Sequence, residues 1–243
     1  DITCSGRYGE THRKHRFSFV TDSAQVLFVD SGDSLYLHGD TVYLTTDSSN
    51  HLATVRANYK VKVYRSDAQA MCDSAFYNAQ DSTLTLYRDP VVWYEHYQCT
   101  ADTIELHHDT SGVKIVYLRT DCFAVEQVDR DKFNQLKGRQ GVVYFHEGSP
   151  TYADILSNAQ MVYYITDEAP DGMPQLVGAN VGIGTDMRIY FDSTHAASRV
   201  VTYDKPDMQT YPVLQLPEEM KQLPDFRWLT ARRPRSPEDV FKW

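Results

Sequence analysis

One short phrase recurs along this chain: Asp, then Ser or Thr, then residues that alternate between the two faces of a strand. Its copies begin at Asp22, Asp33, Asp40, Asp73 and Asp102. Internal repetition constrains the architecture more than any single motif, because each repeat is one unit that buries its apolar face only against its neighbours. We therefore expect similar units stacked in register along the chain.

Some of these phrases open a longer unit, in which a second Asp or Asn precedes another alternating stretch. The pairs are Asp40 with Asn58, Asp73 with Asp89, Asp102 with Asp121 and, more loosely, Gln140 with Asn158. Each unit is predicted to run strand, turn, strand, a corner marked by Asp or Asn, and strand. Val42, Ala75 and Ile104 should then lie near one another on one interior face.

Alternation with turn signals every ten or so residues continues from about residue 17 to 203, and the content of 17 Tyr suits strands with one wet and one dry face. This spacing predicts an all-β antiparallel sandwich, jelly roll or solenoid. We expect residues 1–16 to be irregular and basic. Residues 204–243 hold six of the 10 prolines, with one short helix at Pro217–Leu223 and an extended tail after it.

The charge of −9, from 24 basic and 33 acidic residues, is unsuited to binding nucleic acid, where neutralisation of phosphates supplies most of the affinity. No apolar run approaches the roughly 18 residues needed to span a bilayer. The first residues enter in the middle of a repeat, so we expect a fragment of a longer protein that lacks its signal peptide.

The cysteines at 4, 72, 99 and 122 lack the close pairs of a zinc site. Cys72 stands where the matching units have Gly39 and Ala101, which predicts a small core residue. We expect buried free thiols, with one disulfide left open.

A catalytic or metal site is not apparent in the sequence. The recurring Asp suits a corner, where it can bond backbone amides, and the Gly-rich spacing of a calcium-binding repeat is missing. His107 and His108 are adjacent, so in a strand they face opposite sides. No Gly-x-Ser-x-Gly motif is present, and no pair of facing carboxylates can be nominated for a glycosidase. We expect no enzyme activity and no cofactor.

Several of these phrases, taken in order, resemble the OstA-like proteins of Bacteroidota, relatives of LptA and of the periplasmic domain of LptD. The similar stretches are 32–43, 72–77, 87–93, 100–104, 133–139, 158–160, 216–219 and 226–228. The resemblance covers roughly residues 20–230. It implies a twisted β-jelly roll, open at its ends, that carries lipopolysaccharide through the periplasm in outer-membrane biogenesis.

The resemblance further implies a lipopolysaccharide or lipid A-type ligand, and partners among other Lpt-type envelope proteins or further copies of the chain, joined by strand addition at the edges. No nucleic acid is expected among the partners. Glu105 and Arg188 depart from this picture because they fall in otherwise apolar strands, and the C-terminal prolines could cap one edge.

Two functions remain open: a lipid-transport module in the periplasm or cell envelope, and a structural or protein-interaction scaffold with a packed core. Small interior side chains would favour transport, and an interior filled with aromatic rings would favour the scaffold. Because they alternate on one side of the repeated strands, the residues expected to contact lipid are Leu35, Leu37, Val42, Leu44, Ile104 and Leu106. The basic segments at 13–16 and 232–233 are candidates for contact with an anionic headgroup.

Overall fold

The computed structural model describes residues 2–30, 33–110, 112–169 and 172–242. The strands of these residues are β1 (Ile2–Ser5), β2 (Tyr8–His12), β3 (Phe17–Asp30), β4 (Asp33–Thr46), β5 (Leu52–Tyr64), β6 (Ala68–Asn78), β7 (Thr83–Tyr87), β8 (Val91–Tyr94), β9 (Tyr97–Thr100), β10 (Thr103–Asp109), β11 (Gly112–Asp129), β12 (Lys132–His146), β13 (Ser149–Glu168), β14 (Pro174–Phe191), β15 (Ala197–Tyr203) and β16 (Asp207–Pro212). Short 3-10 helices lie at Arg13–His15, Val213–Gln215, Glu218–Met220, Thr230–Arg232 and Pro237–Phe241. The predicted all-β antiparallel fold is confirmed.

The long strands bend in the middle, so that each one contributes to two facing layers. In β3, residues 17–21 pair with 41–45 of β4, whereas residues 24–30 pair with 33–39, and the register shifts between Thr21 and Ala24. The strands β4, β5, β11, β12 and β13 also shift register at their bends. We call the two layers sheet A and sheet B, and the line of bends the corner line.

Sheet A contains β2, β7, β10, β15 and the halves of the long strands that pair with them, and sheet B contains β1, β8, β9, β16 and the other halves. The side of the roll opposite the corner line is called the mouth.

The strand register places corresponding positions of the predicted units side by side. Val42 pairs with Ala57, Ala57 with Ala75, Ala75 with Leu86, and Leu86 with Ile104. Val42, Ala75 and Ile104 are all buried in one hydrophobic cluster. Corresponding positions of successive repeats therefore form one continuous row across the sheet.

The residue types at the corners follow from backbone geometry. The pairs Arg88–Asp89, Thr120–Asp121 and Ser157–Asn158 all have positive φ, a conformation that Asp and Asn tolerate better than most residues. At alternate corners a buried small residue precedes the Asp, as in Gly39–Asp40, Cys72–Asp73 and Ala101–Asp102. The predicted Asp- or Asn-marked corners are therefore present.

The side chains of the corner Asp residues make different contacts from those predicted. Asp73 accepts hydrogen bonds from Ser74 Oγ at 2.8 Å and Arg88 Nη1 at 3.1 Å, and Asp40 lies 3.6 Å from Lys60 Nζ. The hydrogen bonds described for these carboxylates come from side chains instead of backbone amides. The corner is set by backbone conformation and by the small buried neighbour, so the carboxylate is left to pair with cations.

Both terminal segments depart from the sequence prediction. Residues 1–16, predicted to be irregular, include β1 and β2, which pair with β3. Beyond Tyr203, Asp207–Pro212 is a strand, and the helix predicted at Pro217–Leu223 is reduced to the 3-10 turn Glu218–Met220. Pairing with an open sheet edge outweighs local composition at both ends. In the described residues, no helix has the length and apolar character required to cross a membrane.

Candidate functional site

The space between the sheets is lined by long rows of side chains that run from one end of the roll to the other. In sheet A, the row next to the corner line consists of Gly9, Val20, Val42, Ala57, Ala75, Leu86, Ile104, Leu118, Gly141, Ile155, Met187 and Thr202. The next row toward the mouth consists of Thr11, Ser18, Leu44, Val55, Tyr77, Leu84, Leu106, Val116, Val143, Ala153, Ile189 and Val200.

Sheet B presents a matching row on its inner face: Cys4, Val26, Leu37, Val63, Ala70, Val92, Cys99, Ala124, Leu136, Met161, Gly182 and Met208. None of the side chains in the three rows is a carboxylate, an amine or a guanidinium, and Tyr77 is the one aromatic residue among them. The interior is therefore a continuous band of small and aliphatic side chains.

All six residues predicted to contact lipid face this interior. Val42 and Ile104 belong to the corner-side row of sheet A, and Leu44 and Leu106 belong to its mouth-side row. The other two lie on sheet B: Leu37 in its inner row, and Leu35 closer to the mouth. The structure brings them together on the inner faces, while their contact with lipid stays a prediction.

The interior is closely packed. Val42 and Ile104 are fully buried, with 0% of their surface exposed, whereas Leu35, Leu44 and Leu106 are half-buried and pack against the same cluster. Burial between the sheets raises the pKa of the Cys72 and Cys99 thiols to about 12. The four cysteines are free, and Cys4, expected to be buried, is exposed because it lies on an edge strand.

Buried aromatic side chains lie on the opposite, outer face of sheet B. Trp93 and Phe123 are buried there in two separate clusters. The Phe133 ring packs at a tilt against Phe226 and Trp228, at ring distances of 5.1 and 5.3 Å. Strand alternation sends these rings outward and leaves the smaller residues to face the interior.

The outer face of sheet B is covered by the C-terminal segment 213–242, which we call the strap. It crosses the strands in order, from β14 and β13 at Leu216 to β4 at Phe241. Leu216 and Val240 are buried, so the strap is docked on the sheet near both of its ends. Arg233 donates hydrogen bonds to Gln69 Oε1 and to the carbonyl of Glu95.

Two buried glutamines hold the strap by the same device. Gln98 Nε2 donates to Arg227 O at 2.7 Å and Gln98 Oε1 accepts from Leu229 N at 2.7 Å. Gln135 repeats this pattern with Lys221 O and Leu223 N, each at 2.8 Å. Each side-chain amide donates to one backbone carbonyl and accepts from one backbone N–H of the strap, as the backbone of a neighbouring strand would. Alternation places these glutamines outward, but nothing in the sequence identifies the strap as their partner.

Glu105 and Arg188, the two charged residues within otherwise apolar strands, lie on the outer face of sheet A. Glu105 accepts a hydrogen bond from Arg119 at 3.0 Å and contacts His107 at 2.5 Å, and the bond from Arg119 lowers the pKa of the Glu105 carboxyl. Arg188 forms two hydrogen bonds with Asp154, at 2.6 and 2.7 Å. These charges therefore do not interrupt the apolar interior.

The mouth is bridged between sheet B and the turn that joins β14 to β15. Tyr97 Oη donates to His195 O at 2.8 Å, and Tyr163 Oη donates to Ala197 O at 2.9 Å. Beside them, Glu95 Oε1 lies 2.9 Å from His195 Nδ1. Burial raises the pKa of both Tyr97 and Tyr163. We call this set of contacts the latch.

Each end of the roll carries a strand that pairs on one side within the described residues. At the N-terminal end β1 and β2 pair with β3, and at the C-terminal end β15 and β16 pair with β14. Pro206 precedes β16 and Pro212 is its last residue, whereas Asp207–Thr210 between them is exposed. The strap turns onto the outer face of sheet B, so the prolines do not cover this edge.

Among the described residues, no group of three or more His, Cys, Asp or Glu is arranged to hold a metal ion. His107 and His108 point to opposite faces, since His107 contacts Glu105 and His108 stacks on Tyr77 at 5.7 Å. Two surface depressions, lined by corner residues such as Arg88 and Ser157, have volumes of about 430 and 420 Å³. The interior rows are the more extended candidate site.

Comparison with family models finds no match, and no curated protein matches. Among solved structures, the chain is similar to LptH, the LptA-homologous periplasmic component of the lipopolysaccharide transport device of Pseudomonas aeruginosa. The sequence identity is 16% and the TM-score 0.39, over 44% of this chain and 76% of that chain. A likeness of this extent does not assign the chain to a family.

Proposed function

We propose that this protein binds the acyl chains of lipopolysaccharide, or of a lipid A-type glycolipid, between its two sheets and passes them along the roll. The observation that carries the proposal is the set of inner rows, which are uncharged from one end to the other and consist of small or aliphatic side chains apart from Tyr77. Transfer of acyl chains into such a space is favourable by about 0.8 kcal/mol per buried methylene.

The size of the interior side chains supports transport over the scaffold. The inner rows contain small residues at Ala57, Ala75, Ala124, Gly141 and Gly182, while the buried aromatic rings lie under the strap. A lipid would have to part the sheets, because the interior is packed without one. Small and aliphatic side chains give way more easily than interlocked rings.

The free edges support a role in a longer assembly. Exposed strands that pair on one side present unsatisfied amides and carbonyls, which natural proteins either protect or use. Addition of a neighbouring module's strand at β1–β2 or β15–β16 would extend both sheets and continue the inner rows. The neighbour would be an Lpt-type envelope protein or a second copy of this chain.

The identity of the lipid and the location are taken from the sequence phrases that resemble the OstA-like proteins. We propose a non-catalytic role in the periplasm or cell envelope, in outer-membrane biogenesis. The C-terminal basic pair contributes less than expected, because Arg233 is hydrogen-bonded to Gln69 and to the carbonyl of Glu95 on sheet B.

The packed core favours the second candidate, a structural or protein-interaction scaffold. Val42, Ile104 and Leu118 are at most 2% exposed, as expected of a roll that carries nothing. The two functions differ in whether the protein isolated from cells carries bound lipid.

Native mass spectrometry of the protein isolated from its own envelope tests the proposal. We expect a bound mass that fragments to an acylated glycolipid. The variant Leu106→Trp, which fills the interior, should lose this mass, whereas Thr85→Trp, on the outer face of the adjacent strand, should retain it. A folded wild-type protein that carries no lipid would favour the scaffold.

A further inference from the structure

The mouth of the roll differs along its length. Toward the N-terminal end, its rim consists of half-buried apolar side chains, among them Phe28 and Leu35 on sheet B and Leu44 and Leu52 on sheet A. Toward the C-terminal end, the latch spans the gap with polar groups.

The sheet B side of the latch is built from inward-facing tyrosines at the rim. Tyr97 and Tyr163 alternate with Gln98 and Tyr164, which face the strap or its neighbouring cluster. Tyr94 joins them, since its ring meets Phe145 edge-on at 6.1 Å and lies 6.2 Å from His195. Tyr97 also packs edge-on against Phe191 at 6.0 Å.

The sheet A side of the latch is a preformed turn. Asp192 Oδ1 accepts hydrogen bonds from Thr194 N at 2.8 Å, from Thr194 Oγ1 at 2.7 Å and from Ala196 N at 3.2 Å. Asp192 N in turn donates to Ala196 O at 3.0 Å. These bonds fix the carbonyls of His195 and Ala197 as acceptors for the tyrosine hydroxyls.

The two sides differ in how firmly they are held. Sheet B is tied across its outer face by the strap, through Gln69, Gln98 and Gln135. The β15 strand pairs with β14 alone in the described residues. Opening of the mouth would therefore move the β14–β15 hairpin about its pairing with β13. It would cost two tyrosine hydrogen bonds, one exposed ion pair and the edge-on contact of Tyr97 with Phe191, without exposing the whole core.

We propose that the latch is a lateral gate of the interior: the β14–β15 hairpin swings away from Tyr97 and Tyr163 to admit or release acyl chains, and closes on them afterwards. This inference rests on the proposed lipid-binding function, since it assigns the route by which the interior is reached. The gate is polar, so it can reform in water after the chains have passed.

The double variant Tyr97→Phe/Tyr163→Phe tests the gate, because it removes both bridging hydroxyls and keeps both rings. The probe is dansyl-undecanoic acid, a fluorescent fatty acid, and the readout is its rate of uptake. Each lost hydrogen bond should favour opening by about 5-fold, so uptake should accelerate by about 5- to 25-fold. The matched control, Tyr36→Phe/Tyr43→Phe on the outer faces, should load at the wild-type rate.

A second measurement does not depend on lipid. Amide hydrogen exchange in residues 192–200 should be faster in the latch variant than in the wild type and in the control. If the wild type binds the probe, Leu106→Trp blocks it, and the latch variant shows unchanged uptake and unchanged exchange, the gate is wrong while lipid binding stands. If no folded form binds the probe, the proposed function and the gate are both overturned.

Discussion

At the scale of single residues, the corners depend on the absence of a side chain at particular positions. A Cβ atom on Gly138 would lie 2.5 Å from Ile155 Cγ2, well inside contact distance. At Gly39, which occupies the corresponding place before another corner, the nearest atom would be Ala57 Cβ at an ordinary 3.5 Å. The positions along the corner line therefore differ in whether they can accommodate a side chain larger than that of glycine.

Gly138→Ala should destabilise the protein by about 1–3 kcal/mol, because the branched Ile155 side chain cannot move away without straining the core. Gly39→Ala should cost less than about 1 kcal/mol, since its Cβ atom meets only normal contacts. Urea unfolding of the two variants measures the difference. Equal losses of stability would contradict the packing described at these corners.

The thiols offer a second test at this scale. Burial raises the pKa of all four thiols. They differ in access, because Cys4 is exposed whereas Cys72 and Cys122 are buried and Cys99 is partly buried. A maleimide should label Cys4 alone in the folded protein and all four cysteines in urea. The variant Cys4→Ser should take up no label until it unfolds. Rapid labelling of that folded variant would show that the interior is open to water.

At the scale of elements, the strap acts as a transverse clamp on sheet B. The strap contains only short 3-10 helices. Its backbone nevertheless forms hydrogen bonds with buried glutamines, and its apolar residues complete the outer clusters. Stabilisation of this kind depends on partners far away in the sequence. Local composition, rich in proline, suggested a free tail for this reason.

The double variant Gln98→Leu/Gln135→Leu should release the central part of the strap. It leaves two strap carbonyls and two amides without these partners, at a cost of about 1–3 kcal/mol per unsatisfied group that stays buried. Faster proteolysis and hydrogen exchange in residues 221–229 are expected. Gln175→Leu, at an exposed position of β14, serves as the control. A strap equally protected in both variants would mean that the apolar clusters alone hold it.

At the scale of the whole molecule, the succession of strands and corners could be predicted from the sequence. Strands show alternating apolar residues and corners prefer Asp or Asn, and both patterns are local. Those signals predicted the corners at Asp89, Asp121 and Asn158 and the inward direction of Leu35 and Leu106. The pairing of β1 and β2, the strap and the latch were not predictable. Each depends on contacts between distant segments, such as Tyr163 with Ala197.

The whole roll combines an apolar interior with two different sheets: sheet B, whose outer face is covered by the strap and is here called the clamped wall, and sheet A, which lacks such a cover in the described residues and is here called the free wall. The clamped wall carries the large rings outside, and the free wall carries paired charges such as Glu105 with Arg119 outside. This distribution keeps the three inner rows between the sheets free of charged side chains. The central claim is that the inner rows contact acyl chains, and neighbouring residues of β10 allow it to be tested.

Photo-crosslinking at Leu106 and Glu105 is the most direct measurement. The two positions are adjacent in one strand, but Leu106 faces the interior and Glu105 faces solvent beside Arg119. A photoreactive amino acid at Leu106 should capture lipopolysaccharide in cells, and the same group at Glu105 should capture none. Equal capture at both positions, or none at either in a protein that functions normally, would contradict the proposal that the interior carries lipid.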